Sequence, residues 1–255
     1  MFTDSHCHLD FTEFDADRNE LIKRCAKLNI NRFIVPGITA KRWPRVLQLC
    51  LKYPSAWPCL GLHPWWIAKA SEDDLMLLEQ LLGKHDLIAV GEIGIDGAIE
   101  DIDKQTEYFV KQLHIAKKHD LPVVVHHRKS HQLIVPELKH VNLTKGGIIH
   151  AFSGSYQQAK AYIDLGFKLG IGGTITYPRA IKTIKAVKKL PLDSIVLETD
   201  APAMPLEGFQ GEINSPEKIV NVFSHLCNLR DESPEVLQES IENNLKQMFN
   251  FKVQN

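Results

Sequence analysis

The chain has 255 residues, 44% of them hydrophobic, and its 30 Lys and Arg residues nearly balance its 31 Asp and Glu residues. This length and composition predict one large core, while the net charge of −1 excludes the broad positive surface that gathers a long polyanion. No apolar run approaches the roughly 18 residues of a membrane span and the first residues lack a secretory signal, so the sequence predicts a cytoplasmic protein without a membrane partner. Five cysteines without a C-x-x-C spacing favour reduced thiols.

Strand-like and helix-like segments alternate along the chain. After the opening segment at residues 3–10, apolar or β-branched runs occur at residues 32–37, 57–63, 87–96, 121–127, 146–152, 167–173 and 194–200. Helix-period segments lie between these runs, for example at residues 18–28 and 106–118. Helix-start patterns occur at Ser71 with Asp74, and at residues 215–217 and 233–235, where proline falls in the first turn.

The alternation predicts parallel strands joined by helical crossovers, and the run of valines at residues 123–125 fits a strand buried on both faces. Eight β/α units in about 250 residues are the count and size of a TIM (β/α)8 barrel. No linker, repeat or low-complexity tract divides the chain, so we expect a single domain over residues 1–255. The alternative is an open doubly wound sheet, but the G-x-G-G pattern at residues 170–173 is a weak match to its phosphate fingerprint.

Polar side chains gather at the predicted strand ends, which is where β/α barrels carry their chemistry. They are His6 and His8 on the first strand, His63 on the third, Glu92 on the fourth, His126 and His127 on the fifth, His150 on the sixth and Asp200 on the eighth. Because side chains two residues apart on a strand point the same way, His6 and His8 are expected to reach one point while Cys7 faces the helix layer. Imidazoles and carboxylates together suit zinc and other first-row divalent ions. From the fifth strand, either His126 or His127 could join them.

Six motifs, in order, resemble those of the TatD family of metal-dependent deoxyribonucleases, a branch of the amidohydrolase superfamily. The motifs are TDSHCHLD (3–10), GLHP (61–64), GEIGID (91–96), LPVVVHHR (121–128), HAFSGS (150–155) and LETDAP (197–202). The resemblance runs from residue 3 to the end and includes NSPEKI (214–219) and ENNLKQMFNF (242–251). It implies a TIM barrel with a centre of one or two metal ions.

Carried over by position, the resemblance implies two ligand sets that share one residue. The first set is His6, His8, Glu92 and Asp200, and the second is Glu92, His126 and His150, with Glu92 as the bridge. The family pattern H-x-R after the fifth strand selects His126 as the ligand and leaves His127 a structural residue. We therefore expect two divalent ions, such as Zn, Mg or Mn.

Two such ions activate a water for hydrolysis. Asp200 is expected to act as the general base, with Glu92 and His63 also in the catalytic set, while His63, Arg128 and Trp65 are expected to contact substrate. The leading prediction is a phosphodiesterase or deoxyribonuclease acting on DNA ends, single strands or small phosphoesters, with no obligate protein partner. The alternatives are an amidohydrolase-type enzyme that hydrolyses an amide or lactone at the same centre, and a metal-binding protein without turnover.

Two departures from the family pattern bear on the substrate. The family often continues the fifth strand as H-S-R-D, whereas this chain has Arg128, Lys129 and Ser130 after His127, so a base replaces the acid. The loop after the fourth strand, GAIEDID (97–103), is acidic and lacks the aromatic and basic residues common there. Weak phosphate capture by this loop predicts a preference for short ends or single strands over intact duplex.

Overall fold

Eight parallel strands form one sheet whose order in space follows the order in the chain. The computed structural model describes residues 1–249 and 251. The strands are β1 (Phe2–Asp4), β2 (Ile30–Gly37), β3 (Ala56–Leu60), β4 (Ala89–Asp96), β5 (Val123–Arg128), β6 (Gly147–Ile149), β7 (Phe167–Ile171) and β8 (Ile195–Leu197). Beyond the seven ladders, the Ser5 N–H donates to the Leu197 carbonyl over 2.9 Å and brings the ends of β1 and β8 together.

A helix follows every strand on the outside of this sheet. The helices are α1 (Arg18–Lys27), α2 (Trp43–Lys52), α3 (Glu72–Leu82), α4 (Ile102–Lys118), α5 (His131–Val141), α6 (Tyr156–Ile163), α7 (Ile181–Val187), α8 (Ile219–Leu229) and α9 (Pro234–Met248). The prediction of a TIM barrel is therefore confirmed. The single domain over residues 1–255 stays a prediction, and its residues 250 and 252–255 lie outside the described residues.

The three predicted helix starts are confirmed. Ser71 and Asp74 form a reciprocal capping box at the start of α3, and the Ser233 hydroxyl accepts from Val236 N–H at the start of α9. At residues 215–217 Ser215 caps a short 3-10 turn, Pro216–Lys218, that runs directly into α8. These caps satisfy orphan N–H groups at helix ends.

Two expectations about strand bounds are wrong. β1 ends at Asp4, so His6 and His8 lie in the loop beyond it, where the His8 N–H bonds the Ala201 carbonyl instead of a β2 partner. Glu92 lies inside β4, because the strand continues to Asp96 by pairing with β5 after a register shift beside Glu92. The polar cluster therefore includes a residue inside the barrel, Glu92, as well as residues on its rim.

Apolar side chains fill both sides of the sheet. One cluster includes Ile34, Ala89, Val124, Ile148 and Val196, which come from five of the strands, together with Phe249 after α9. A larger cluster lies between the strands and the helices. All eight residues of β4 are buried, as expected for a strand covered on both faces.

The last helix holds the first strand in place. The Thr3 N–H donates to Glu242 Oε1 over 2.7 Å, and the Thr3 hydroxyl donates to Glu242 Oε2 over 2.9 Å. Both residues are buried, so this carboxylate satisfies two groups that have lost contact with water. Within the described ranges, no helix is long and apolar enough to cross a membrane.

Candidate metal centre

Asp4 joins the two segments that carry the first candidate ligands. Its carboxylate accepts from the Thr199 hydroxyl over 2.5 Å, from the Thr199 N–H over 3.0 Å and from the His6 N–H over 3.2 Å. The Asp200 N–H in turn donates to the His6 carbonyl over 2.9 Å. Because Asp4 is fully buried, these bonds fix the loop after β1 against the loop after β8. The sequence analysis did not single out Asp4 for this role.

The first ligand group consists of His6, His8, Glu92 and Asp200. Glu92 Oε2 lies 3.3 Å from His6 Nε2 and 3.7 Å from His8 Nε2, and Asp200 Oδ1 lies 3.6 Å from each of these nitrogens. Four atoms arranged tetrahedrally about 2.0 to 2.2 Å from one ion lie roughly 3.3 to 3.6 Å apart. The spacing therefore fits one cation between the two imidazoles and the two carboxylates.

The Nε2 atoms of His6 and His8 are both available to a metal ion. His8 Nδ1 lies 3.3 Å from the Pro36 carbonyl, which can only accept, so Nδ1 carries the proton and Nε2 keeps its lone pair. His6 is fully buried, and its Nε2 has no hydrogen-bond partner among residues 1–249 and 251. A buried imidazole nitrogen without a partner is costly unless a ligand such as a metal ion satisfies it.

The other oxygen of Glu92 faces a second group of imidazoles. Oε1 lies 3.1 Å from His126 Nδ1, 3.2 Å from His63 Nε2 and 3.4 Å from His150 Nε2. Glu92 is 2% exposed and thus presents one oxygen to each group from inside the barrel. This is the placement that a bridging carboxylate requires.

Two further carboxylates orient the second group. Glu198 Oε1 accepts from His150 Nδ1 over 3.1 Å, and Asp96 Oδ2 lies 3.3 Å from His126 Nε2. Each leaves the opposite ring nitrogen facing Glu92 Oε1, which is the arrangement found around metal-binding histidines. Sequence reasoning missed both roles, although GEIGID and LETDAP contain these residues.

His63 differs from its neighbours in how its proton is placed. Its Nδ1 accepts from the Trp65 N–H over 3.1 Å, and because a backbone N–H can only donate, the proton of the neutral ring lies on Nε2. Burial lowers the pKa of His63 and keeps the ring neutral. In this state its Nε2–H is directed at Glu92 Oε1 as a donor, although the spacing of His63, Glu92 and His126 would also fit a metal ion.

The remaining predicted residues lie on either side of this group. Trp65 is 55% exposed at the mouth, and its indole N–H donates to Asp96 Oδ2 over 2.7 Å. Arg128 is also exposed, with Nη1 3.7 Å from the same oxygen. His127 points away from Glu92, and its ring lies 5.8 Å from those of Phe152 and Tyr162, as expected for a structural residue.

The electrostatics of the cluster keep its carboxylates ionised. Burial alone would raise the pKa of Glu92, but its electrostatic interactions with the surrounding imidazoles of His63, His150 and His6 hold it well below the usual range. Burial likewise opposes ionisation of Asp200, whose pKa His150 and His8 nonetheless hold low. Buried carboxylates that stay ionised beside imidazoles are suited to bind a divalent cation in place of a proton.

The barrel and its cluster of imidazoles and carboxylates define a metal-dependent hydrolase of the β/α-barrel class. The sequence model of the TatD related DNase family matches residues 3–250. The chain therefore belongs to the TatD family of metal-dependent hydrolases, as the motif resemblance predicts.

Individual relatives cover almost the whole chain. The chain is 44% identical over 253 residues to the metal-dependent hydrolase YjjV of Escherichia coli K12, covering 98% of each chain. The crystal structure of that TatD homologue superposes with a TM-score of 0.95 at 43% identity, again covering 98% of each chain. A 3'-5' ssDNA/RNA exonuclease TatD from Pantoea ananatis is 26% identical over 251 residues, covering 95% of this chain and 96% of the relative.

Proposed function

We propose that the chain is a phosphodiesterase that hydrolyses DNA single strands from their ends, or small phosphoesters, at a centre of two divalent ions. The observation that carries this proposal is the position of Glu92. One of its oxygens faces His6 and His8, and the other faces His126 and His150. Two-ion sites with a shared carboxylate are typical of phosphatases and nucleases.

In this proposal the first ion is held by His6, His8, Glu92 and Asp200. The second ion is held by Glu92, His126 Nδ1 and His150 Nε2, with Asp96 and Glu198 fixing the two imidazoles from behind. Zn, Mg and Mn are the candidate ions, since nitrogen ligands favour Zn and the carboxylates accept all three.

The ions would lower the pKa of an attacking water from 15.7 to about 7 and offset the charge that develops on the attacked phosphate. Asp200 has a second carboxylate oxygen to accept the proton of that water. His63 supplies an Nε2–H near the same point, and Arg128 at the rim can hold a phosphate oxygen through two parallel N–H bonds. Trp65 is exposed enough to stack on a base while its indole N–H stays bonded to Asp96.

The similarity to a 3'-5' ssDNA/RNA exonuclease supports a nucleic-acid substrate for this chain. The acidic loop at residues 97–103 supports ends or single strands over duplex, because Glu100, Asp101 and Asp103 are exposed at its surface or at the start of α4 and repel a long polyanion. The cysteines, which form no disulfides, support a cytoplasmic location, and the single eight-stranded sheet supports a single domain.

Metal reconstitution tests the proposal. The metal-stripped protein is loaded separately with Mg, Mn and Zn, and each form is assayed with a 5'-labelled single strand, with bis(p-nitrophenyl) phosphate and with a panel of amides and lactones. We expect metal-dependent cleavage of the phosphodiesters only, and its loss in Asp200→Asn. Turnover of amides or lactones without phosphodiester cleavage would favour the amidohydrolase alternative, and metal binding without any turnover would contradict both.

A further inference from the structure

One stretch of the chain departs sharply from its overall charge balance. Residues 165–192 contain six cationic side chains and no carboxylate. They are Lys168, Arg179, Lys182, Lys185, Lys188 and Lys189. In a chain whose positive and negative residues are almost equal in number, this excess forms a local positive field around α7.

Part of this positive stretch lies at the mouth of the barrel. Helices of a β/α barrel begin at the rim where the strands end, so Arg179 and Lys182 flank the rim-side start of α7. The Thr183 hydroxyl lies 3.4 Å from that of Ser153. Ser153 is only three residues past His150, a reach of about 10 Å along an extended chain. The start of α7 is thus close to the second imidazole group.

Arg179, Lys182 and Lys185 are exposed, and among the described residues none of them lies within ion-pair distance of a carboxylate. The Arg179 guanidinium stays near the rim because it lies 4.7 Å from the centre of the Tyr177 ring, whose hydroxyl donates to the Pro205 carbonyl over 2.6 Å. The other arginines among the described residues lie near carboxylates or bond carbonyls, so Arg179 stands apart from them in being free to bind an anion, and Lys182 and Lys185 add two exposed cations beside it.

The acidic loop after β4 lies in a different sector of the mouth, whereas one exposed acidic residue, Glu207, lies on the α7 side, where its N–H donates to the Thr176 hydroxyl over 2.9 Å. Glu100, Asp101 and Asp103 follow β4 and are exposed, three strands away from β7. A polyanion with one phosphate at the metal centre is repelled by that side of the rim and attracted toward α7. Lys182 and Lys185 are one helical turn apart, about 4.5 Å along the axis, and thus extend the positive surface outward from the rim.

We propose that Arg179, Lys182 and Lys185, the basic edge of α7, bind the phosphate backbone of a single polynucleotide strand whose end lies at the metal centre. This rests on the proposed phosphodiesterase function and adds a second contact region outside the catalytic cluster. The contacts are to phosphates, so they do not discriminate between sequences, and DNA and RNA strands are both bound. A substrate with a single phosphodiester is too short to reach the edge.

The test compares the triple variant Arg179→Ser, Lys182→Ser, Lys185→Ser with a matched control, Lys27→Ser, Lys84→Ser, Lys139→Ser. The control removes three exposed lysines at or just after the C-terminal ends of α1, α3 and α5, away from the rim where the strands end. Both triple variants lose three positive charges. The metal-loaded proteins are assayed with bis(p-nitrophenyl) phosphate and with 12-nucleotide dT and U strands. Binding of a fluorescent phosphorothioate dT strand is measured by anisotropy, and thermal unfolding checks that each variant is folded. Lys182→Glu alone is a second variant.

We expect the triple variant to bind the strand about tenfold more weakly at low salt, with a salt slope that is smaller by about 2, since each lost contact to a single strand removes roughly 0.7 from the slope. Its kcat/KM for bis(p-nitrophenyl) phosphate should stay within about twofold of wild type, and the control should match wild type throughout. Equal strand binding by the triple variant and the control would overturn the proposal, and so would binding to anionic phosphatidylserine vesicles without binding to strands. Strand binding that depends on the basic edge, without cleavage of any phosphodiester, would refute the proposed function but not the binding role of the basic edge.

Discussion

Glu198 accepts the Nδ1–H of His150 over 3.1 Å, and its carboxylate occupies space that is open only because residue 170 is a glycine. A Cβ at Gly170 would lie 2.0 Å from Glu198 Oε2, so any larger residue on β7 would displace the carboxylate. The Ala151 N–H donates to the same oxygen as His150, over 2.6 Å. The Ala151 N–H and the His150 imidazole are thus both bonded to one buried carboxylate.

Replacing Glu198 by Gln should weaken metal binding without unfolding the protein. The amide oxygen can still accept the bond from His150, but the negative charge that makes the imidazole a stronger ligand is lost. Loss of such a partner typically costs 10- to 100-fold in metal affinity, which we expect here for one of the two ions. Competition with a chromogenic chelator measures the affinity.

Gly170→Ala should produce the same loss as Glu198→Gln because it displaces the same carboxylate, whereas Glu207→Gln, at an exposed position, should have no effect. Unchanged metal affinity in both Glu198→Gln and Gly170→Ala would show that His150 needs no anionic partner.

The role of Glu198 shows where sequence reasoning stopped. The alternation of strands and helices is enough to predict the barrel, and the rule that chemistry lies at strand ends is enough to bring six polar residues together. Neither rule says which way a carboxylate inside a motif points. Asp4, Asp96 and Glu198 each stand next to or near a predicted ligand, and only the pairing of the strands shows which hydrogen bonds they accept. The role of the six residues as metal ligands stays a prediction.

Strand ends were misjudged for a related reason. The alternation of His6, Cys7 and His8 fits a strand, but β1 ends at Asp4, after which the Ser5 N–H bonds the Leu197 carbonyl and the His8 N–H bonds the Ala201 carbonyl on the β8 side of the barrel. Tertiary hydrogen bonds of this kind leave no periodic signal in the sequence.

Asp200→Asn should separate metal binding from chemistry. The amide keeps the size and one donor oxygen, so an ion also held by His6, His8 and Glu92 should remain bound. Because the amide cannot accept a proton at neutral pH, kcat should fall by about 10² to 10⁴. Elemental analysis and kcat at saturating metal are measured on the same preparation. If kcat stays near that of wild type with both ions bound, the base must be another residue.

Glu92→Gln should behave differently from Asp200→Asn. The bridging position would lose its negative charge between two cations, so the occupancy of both ions should decrease together. Measured metal content should drop at both sites at concentrations that saturate the wild type. Loss of one ion alone would contradict the assignment of Glu92 as the bridge.

His63→Ala should leave both ions in place and lower kcat. Its accepting Nδ1 is already bonded to the Trp65 N–H, so removal of the ring takes away a donor and no ligand. Loss of one donor to a developing charge typically lowers kcat by about 10²-fold. A fall in metal content measured by elemental analysis would instead make His63 a ligand. His131→Ala, at a histidine outside the cluster, is the matched control.

Single strands should be cleaved in preference to duplex. The rim after β4 is acidic and the chain has no net positive charge, so few phosphates of a duplex are contacted at once. Matched single-stranded and duplex oligonucleotides of the same sequence are compared at several salt concentrations. A marked duplex preference would be incompatible with this reading of the acidic loop.

The bonds between Thr3 and Glu242 have a consequence for biosynthesis. During translation, His6 and His8 leave the ribosome long before α9, whose Glu242 fixes the strand that precedes them. Until α9 has been made, Thr3 has no carboxylate partner, and until β8 has been made Asp200 is missing from the centre. The nascent chain therefore exposes a histidine pair through most of its synthesis without a complete site to retain an ion. If these residues hold the ions, we expect metal loading to occur only at the last stage of folding.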